Sequence, residues 1–236
     1  MDGRRIIKKA AETVAATAAI GAAGYAALVV FNRAKYGKVN CSAETGKDSL
    51  LDRFIPEPEV AEHHQIDINA PADVVMAAAK ELEFLESPVI RAIFKMRELA
   101  LGGEPDDREH PRALFDQMQS IGWVVLAERP GREIVFGSVT QPWQAAPVFR
   151  PIPAGEYLAF AEPGYVKIVW TLRADPIDDA RSTFHTETRV CTTDAAARRR
   201  FRNYWSFVAP GVEVIRMAML RPLKRAAEGR VRAPAA

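Results

Sequence analysis

Cysteine is scarce in this chain: Cys41 and Cys191 are its two residues, far apart and outside any CxxC spacing. That leaves a disulfide scaffold or a cysteine-built zinc site without support. The sequence also lacks a glycine-rich phosphate loop, a nucleophile elbow and an HExxH pair, so the common signatures of nucleotide, serine-hydrolase and zinc-protease chemistry are missing. Charge of one sign is missing too. The 32 Lys and Arg nearly balance the 30 Asp and Glu, for a net +2, which gives no reason to expect a nucleic-acid partner. What is present is an ordinary globular mixture, 48% hydrophobic and 26% charged over 236 residues, and that excludes wholesale disorder.

The strongest pattern lies near the end, over Asp194–Gly229. Phe201, Trp205, Val208, Val212, Ile215, Met219, Leu223 and Ala226 recur every three or four positions, the apolar face of one long helix. Thr193 or Asp194 can cap its start, and Gly229 is the expected stop. Pro210 and Pro222 interrupt the pattern and predict a kink near Ala209. A helix of this length needs a surface on which to lay its stripe.

At the other end, Arg4, Arg5, Lys8 and Lys9 precede an uncharged run from Thr13 to Asn32, and Arg33, Lys35 and Lys38 follow it. Val14 to Phe31, as helix, spans roughly 27 Å at ~1.5 Å per residue, just short of a hydrocarbon core. A single-pass membrane anchor is the expectation, ahead of a cleaved signal peptide or a surface-lying helix. The excess of basic residues before the run slightly favours a domain outside the cytoplasm.

Between these ends, residues 1–37 read as the anchor-like helix, 38–61 as a polar linker with a helical turn at Leu50–Phe54, 62–230 as the domain and 231–236 as a tail. The domain opens with alternation at His64, Ile66 and Ile68, a strand signal. Helical periodicity follows from Pro71 and again from Pro88. From Trp123 the character turns to strands: WVVLAE and EIVFGSV around Pro130-Gly131, then Glu156–Glu162, Tyr165–Ala174 and Ser182–Thr192. An antiparallel sheet with one apolar face, closed by the terminal helix, gives an α+β class.

Residues Ile66–Val75, IDINAPADVV, resemble the opening strand-to-helix step of the START-type, polyketide cyclase/dehydrase-like superfamily. Thr186–Val190 with Arg200–Trp205 and Ile215-Arg216 is similar to the close of a bacterial, membrane-anchored branch of it. The resemblance covers about Glu62 to Gly229. It implies a helix-grip fold: a curved antiparallel sheet wrapped around a long carboxy-terminal helix, with an apolar cavity between them. It implies a hydrophobic small molecule or lipid as partner.

The residues expected to line such a cavity are Trp123, Phe136, Trp143, Trp170, Trp205, Val208 and Val212, because large rings and branched side chains make apolar pockets as well as cores. Glu187 and Arg189 share a strand face with His185. There they either orient a ligand oxygen or face water while Phe184, Thr186, Thr188 and Val190 point inward. His63 and His64 are adjacent and therefore point to opposite faces of a strand, so they share no metal. His110 lies in an acidic loop without ligand spacing. Arg198, Arg199, Arg200 and Arg202 crowd the positive end of the helix dipole, a placement that suits nearby anions. No catalytic residue, metal or cofactor is expected. The expected function is a membrane-tethered binding or carrier domain. A cyclase/dehydrase-like enzyme using Glu187 and Arg189 is one alternative, and a protein-interaction module is another.

Overall fold

The computed structural model describes Gly24 and residues 50–83, 87–102 and 111–232. In chain order the elements are α1 (Leu51–Phe54), β1 (Val60–Ile68), α2 (Ala72–Lys80), α3 (Pro88–Leu101), α4 (Leu114–Ser120), β2 (Val124–Arg129) and β3 (Glu133–Thr140). A short α5 (Ala154–Tyr157), β4 (Val166–Asp178), β5 (Arg181–Thr192) and α6 (Ala195–Arg232) complete the chain. The strands form one antiparallel sheet in the order β1-β5-β4-β3-β2. A five-stranded sheet followed by one 38-residue helix fits the helix-grip architecture.

Strand alternation sorts the side chains onto two faces. Ile68, Ile134, Phe136, Trp170, Leu172 and Phe184 point to the helix side, where they join Val75 and Met76 of α2 and Ile215, Met219 and Leu223 of α6. Nearer the start of α6, Phe201, Trp205 and Ala209 pack on Val60, Val166 and Val190. The opposite face, hereafter the back face, carries Val135, Val139 and Val169, covered by Leu50, Leu51, Phe54, Ile55 and Tyr157. Residues 50–55, expected within a tether, are thus part of the folded unit. Each such side chain removed from water contributes roughly 1.5–3 kcal/mol before entropy is charged against it.

Asp194 caps α6: its Oδ1 accepts from the Ala196 and Ala197 amides at 2.6 and 2.8 Å, which satisfies donors that a helix start leaves open. The helix runs without a break through Pro210 and Pro222. Gly229 does not end it. The residue has no left-handed backbone, glycine costs a helix only about 1 kcal/mol, and the last turns are tied down on both sides of it. Glu228 accepts from the Asn69 amide at 3.1 Å, and Arg230 pairs with Glu81 at 2.6 Å.

The strand expected at Glu156–Glu162 is also absent. Pro151 and Pro153 lead instead into the single turn α5, with Pro153 preset at φ −56° just before it, the geometry that starts a helix. The Tyr157 hydroxyl then donates to the Ile168 carbonyl at 2.9 Å, fixing α5 beside the sheet. The candidate anchor Val14–Phe31 (Gly24 apart), Cys41, the His110 loop and the last four residues lie outside the described residues. Among the described residues no helix is long and apolar enough to cross a membrane.

Candidate functional site

The first half of α6, the Trp143 loop and the end of α3 enclose an open cleft of about 440 Å³. Leu101, Trp143, Arg200, Asn203, Tyr204 and Phe207 line it. Its walls are largely rings, with one guanidinium and one amide. Trp143 is placed by the turn after β3, where the Gln141 side chain donates to the Gly164 carbonyl at 2.9 Å. Phe207, 39% exposed, would be an unexplained apolar residue on a plain helix surface; here it is a wall of the cleft.

From the cleft, Tyr204, Val208, Val212 and Arg216 follow one another at intervals of four along α6, all half-buried. Residues at this spacing form one ridge on a helix. Arg216 ends the ridge against the sheet. Its Nη2 donates to Thr188 Oγ1 at 2.8 Å, and its guanidinium sits 4.4 Å from the centroid of the Trp170 ring. Burial lowers its pKa to about 10, an effect that the charge of Glu62 only partly offsets. A guanidinium with a hydroxyl and a ring as neighbours, and no carboxylate in direct contact among the described residues, has donors to spare for a further acceptor.

Trp170 is itself held by its indole N–H, which donates to Thr186 Oγ1 at 2.7 Å, and by a stacked Phe136, centroid to centroid 5.7 Å. Trp123 meets the Trp170 ring edge-on at 6.4 Å. The Trp123 indole N–H is buried and finds no acceptor among the described residues. A buried donor in this condition is costly until an acceptor reaches it.

The residues expected at a cavity therefore separate into groups. Trp143 lines the cleft. Val208 and Val212 lie on the ridge beyond it, and Trp205 packs beneath, stacked on Phe201 at 5.6 Å. Trp123, Phe136 and Trp170 form a packed ring cluster on the helix side of the sheet. Glu187 and Arg189 belong to none of these. They point to the back face, where Arg189 Nε meets Glu187 Oε1 at 2.6 Å, and its Nη1 meets Asp52 Oδ1 at 2.6 Å and the Ile55 carbonyl at 3.1 Å. Burial opposes the charge on Arg189, but the two carboxylates outweigh it and its pKa is raised. The inward set Phe184, Thr186, Thr188 and Val190 is as the alternation predicts. Glu187 and Arg189 face α1 rather than water.

Tyr204, Phe207, Arg200 and Arg216 were not among the expected lining residues. A signal for Arg216 was present: it stands four residues after Val212 and three before Met219, a charge set within an apolar stripe. Of the basic cluster, Arg198 pairs with Glu59 at 3.0 Å, while Arg200 turns to the cleft.

No family model matches the chain, and no curated protein matches it in sequence. Among solved structures it is similar to the di-domain aromatase/cyclase BexL of the BE-7585A biosynthetic pathway, at 14% identity and a TM-score of 0.35 over 74% of this chain and 48% of BexL. The chain thus spans about half of that protein's length. It is also similar to the Zhui aromatase/cyclase from Streptomyces sp. R1128, at 17% identity and a TM-score of 0.30 over 74% of this chain and 96% of that one. Norcoclaurine synthase from Thalictrum flavum gives 10% identity and a TM-score of 0.32 over 75% of this chain and 88% of its own. Likeness at this level carries no statement of activity.

Proposed function

We propose that this domain binds a hydrophobic small molecule or lipid that carries an acceptor group, a carboxylate or a carbonyl, between α6 and the neighbouring Trp143 loop. The observation that carries the reading is the cleft, with the rings of Trp143, Tyr204 and Phe207 beside Arg200. Apolar walls with a few polar groups, at a volume in the range of small-molecule sites, are what such a ligand requires. Arg216 and the Trp123 indole N–H are further donors on the helix side of the sheet, suited to the same class of acceptor. The leading uncharged run with its basic flanks is retained as a tether to the bilayer, which carbonate extraction of membranes tests. Glu187 and Arg189 are not the groups that would polarise a ligand here, since they face away from α6.

Native mass spectrometry of the purified chain, before and after organic extraction, tests the binding. The expected result is an adduct of one amphiphile per chain, restored after extraction by a mixture of fatty and aromatic acids and lost in W143A. A chain that carries no adduct and takes none from that mixture contradicts the reading.

A further inference from the structure

On the back face, β1 and β5 run side by side so that Gln65 lies opposite His185 and His63 opposite Glu187. This register brings the rings of His63 and His185 together, with centroids 5.4 Å apart and planes tilted by 31°. Nε2 of His63 and Nδ1 of His185 stand 3.2 Å apart. Beyond them, His185 Nε2 meets Asp175 Oδ2 at 3.3 Å, and Arg173 Nε holds that same oxygen at 3.0 Å.

We propose that His63 and His185 form a chelating pair for a divalent late transition metal, zinc, nickel or copper, on the back face of the sheet beside its β1 edge. The first argument is spacing. Two imidazole nitrogens bound to one zinc at ~2.0–2.1 Å with a tetrahedral angle stand about 3.3 Å apart, and these two nitrogens already do so. The second is the proton on His185. A carboxylate at Nε2 takes the N–H there, which leaves the Nδ1 lone pair directed at His63; carboxylate, histidine and metal in that order is how ligating histidines are oriented. The third is access: His63 is exposed, and the side chain of Asp175 is 51% exposed.

Among the described residues no group of three or more His, Cys, Asp or Glu is arranged to hold a metal. Two protein ligands and water therefore make the shell, and the site is a weak, exchangeable one rather than a structural centre. The competing occupant is a proton, shared between the rings as a hydrogen bond. The site lies across the sheet from the cleft and is independent of the ligand proposed for it.

Calorimetric titration of Zn²⁺ and of Ni²⁺ into the tag-free full chain decides between metal and proton. The expected result is one ion per chain, with affinity at least tenfold lower in H63A and in H185A, and about tenfold lower in D175N, the usual effect of removing a carboxylate behind a ligating histidine. H110A, which alters a histidine far from the pair in sequence, leaves binding unchanged. Thermal melts of the metal-free variants confirm folding, and H63A alters only an exposed side chain. No saturable binding at millimolar metal, or binding that survives in folded H63A, overturns the proposal.

Discussion

Arg189 and Asp52 meet at 2.6 Å, tying the segment ahead of the sheet to the sheet's own back face. Arg189 is 1% exposed and also holds Glu187, itself 3% exposed. Truncating the arginine leaves a buried carboxylate without its cation, a change that typically costs about 3–5 kcal/mol. R189A is expected to lower unfolding stability by that order, whereas D52N, whose partner oxygen is near water, costs well under half as much. Urea denaturation of the two variants checks the ranking.

Arg216 is a different case. Among the described residues no carboxylate in contact matches its desolvation, so replacing it with a side chain of similar length removes a cost as well as an interaction. R216M is expected to change stability by less than about 1 kcal/mol, in either direction, which thermal melts of the variant beside the native chain measure.

Cys191 gives a prediction in pH. Burial pushes its thiol up to about 11, against a smaller pull downward from Lys167. The fold therefore favours the protonated thiol. Its stabilising effect is complete below the unfolded value of about 8.5 and is lost as pH rises through 11. Alkylation of native protein at pH 8 is expected to label Cys191 far more slowly than in urea, as followed by peptide mass spectrometry. Equal rates in the two states contradict the assignment.

Gly122 turns the chain from α4 into β2 with φ +100°, a backbone that side-chain-bearing residues rarely adopt. A Cβ there would also run into the Phe149 carbonyl oxygen. G122A is expected to destabilise by about 1–3 kcal/mol and to disturb Trp123, its neighbour, which near-ultraviolet circular dichroism would register.

Much of this architecture was legible in the residues themselves. The alternation of Ile66 and Ile68, the turn at Pro130-Gly131 and the stripe from Phe201 to Leu223 each follow from period alone. Boundaries were less so: the chain reads Gly229 as a stop, but contacts of Glu228 and Arg230 with distant residues carry the helix on. The residues expected as a strand at Glu156–Glu162 follow a helical turn that Pro153 precedes. Leu50–Ile55 looked like a tether because their partners, Val135, Val139 and Val169, are far away in sequence. The same holds for the two sides of the site. Period placed Glu187 and Arg189 on one face but not which face, and it could not pair His63 with His185. Period gives no sign of the cleft that Trp143, Tyr204 and Phe207 line, because it exists only where a loop meets a helix some sixty residues further along the chain.

The central claim is that the cleft beside α6 takes an apolar molecule by its rings and an acidic group by a guanidinium. Fluorescence titration with 9-anthroate and with 9-anthracenemethanol, against the native chain, W143A and R200A, measures it most directly. The account predicts saturable one-to-one binding, at least tenfold weaker for both probes in W143A, with R200A penalising the acid and sparing the alcohol. Absence of saturable binding, or equal affinity in the native chain and W143A, would contradict it.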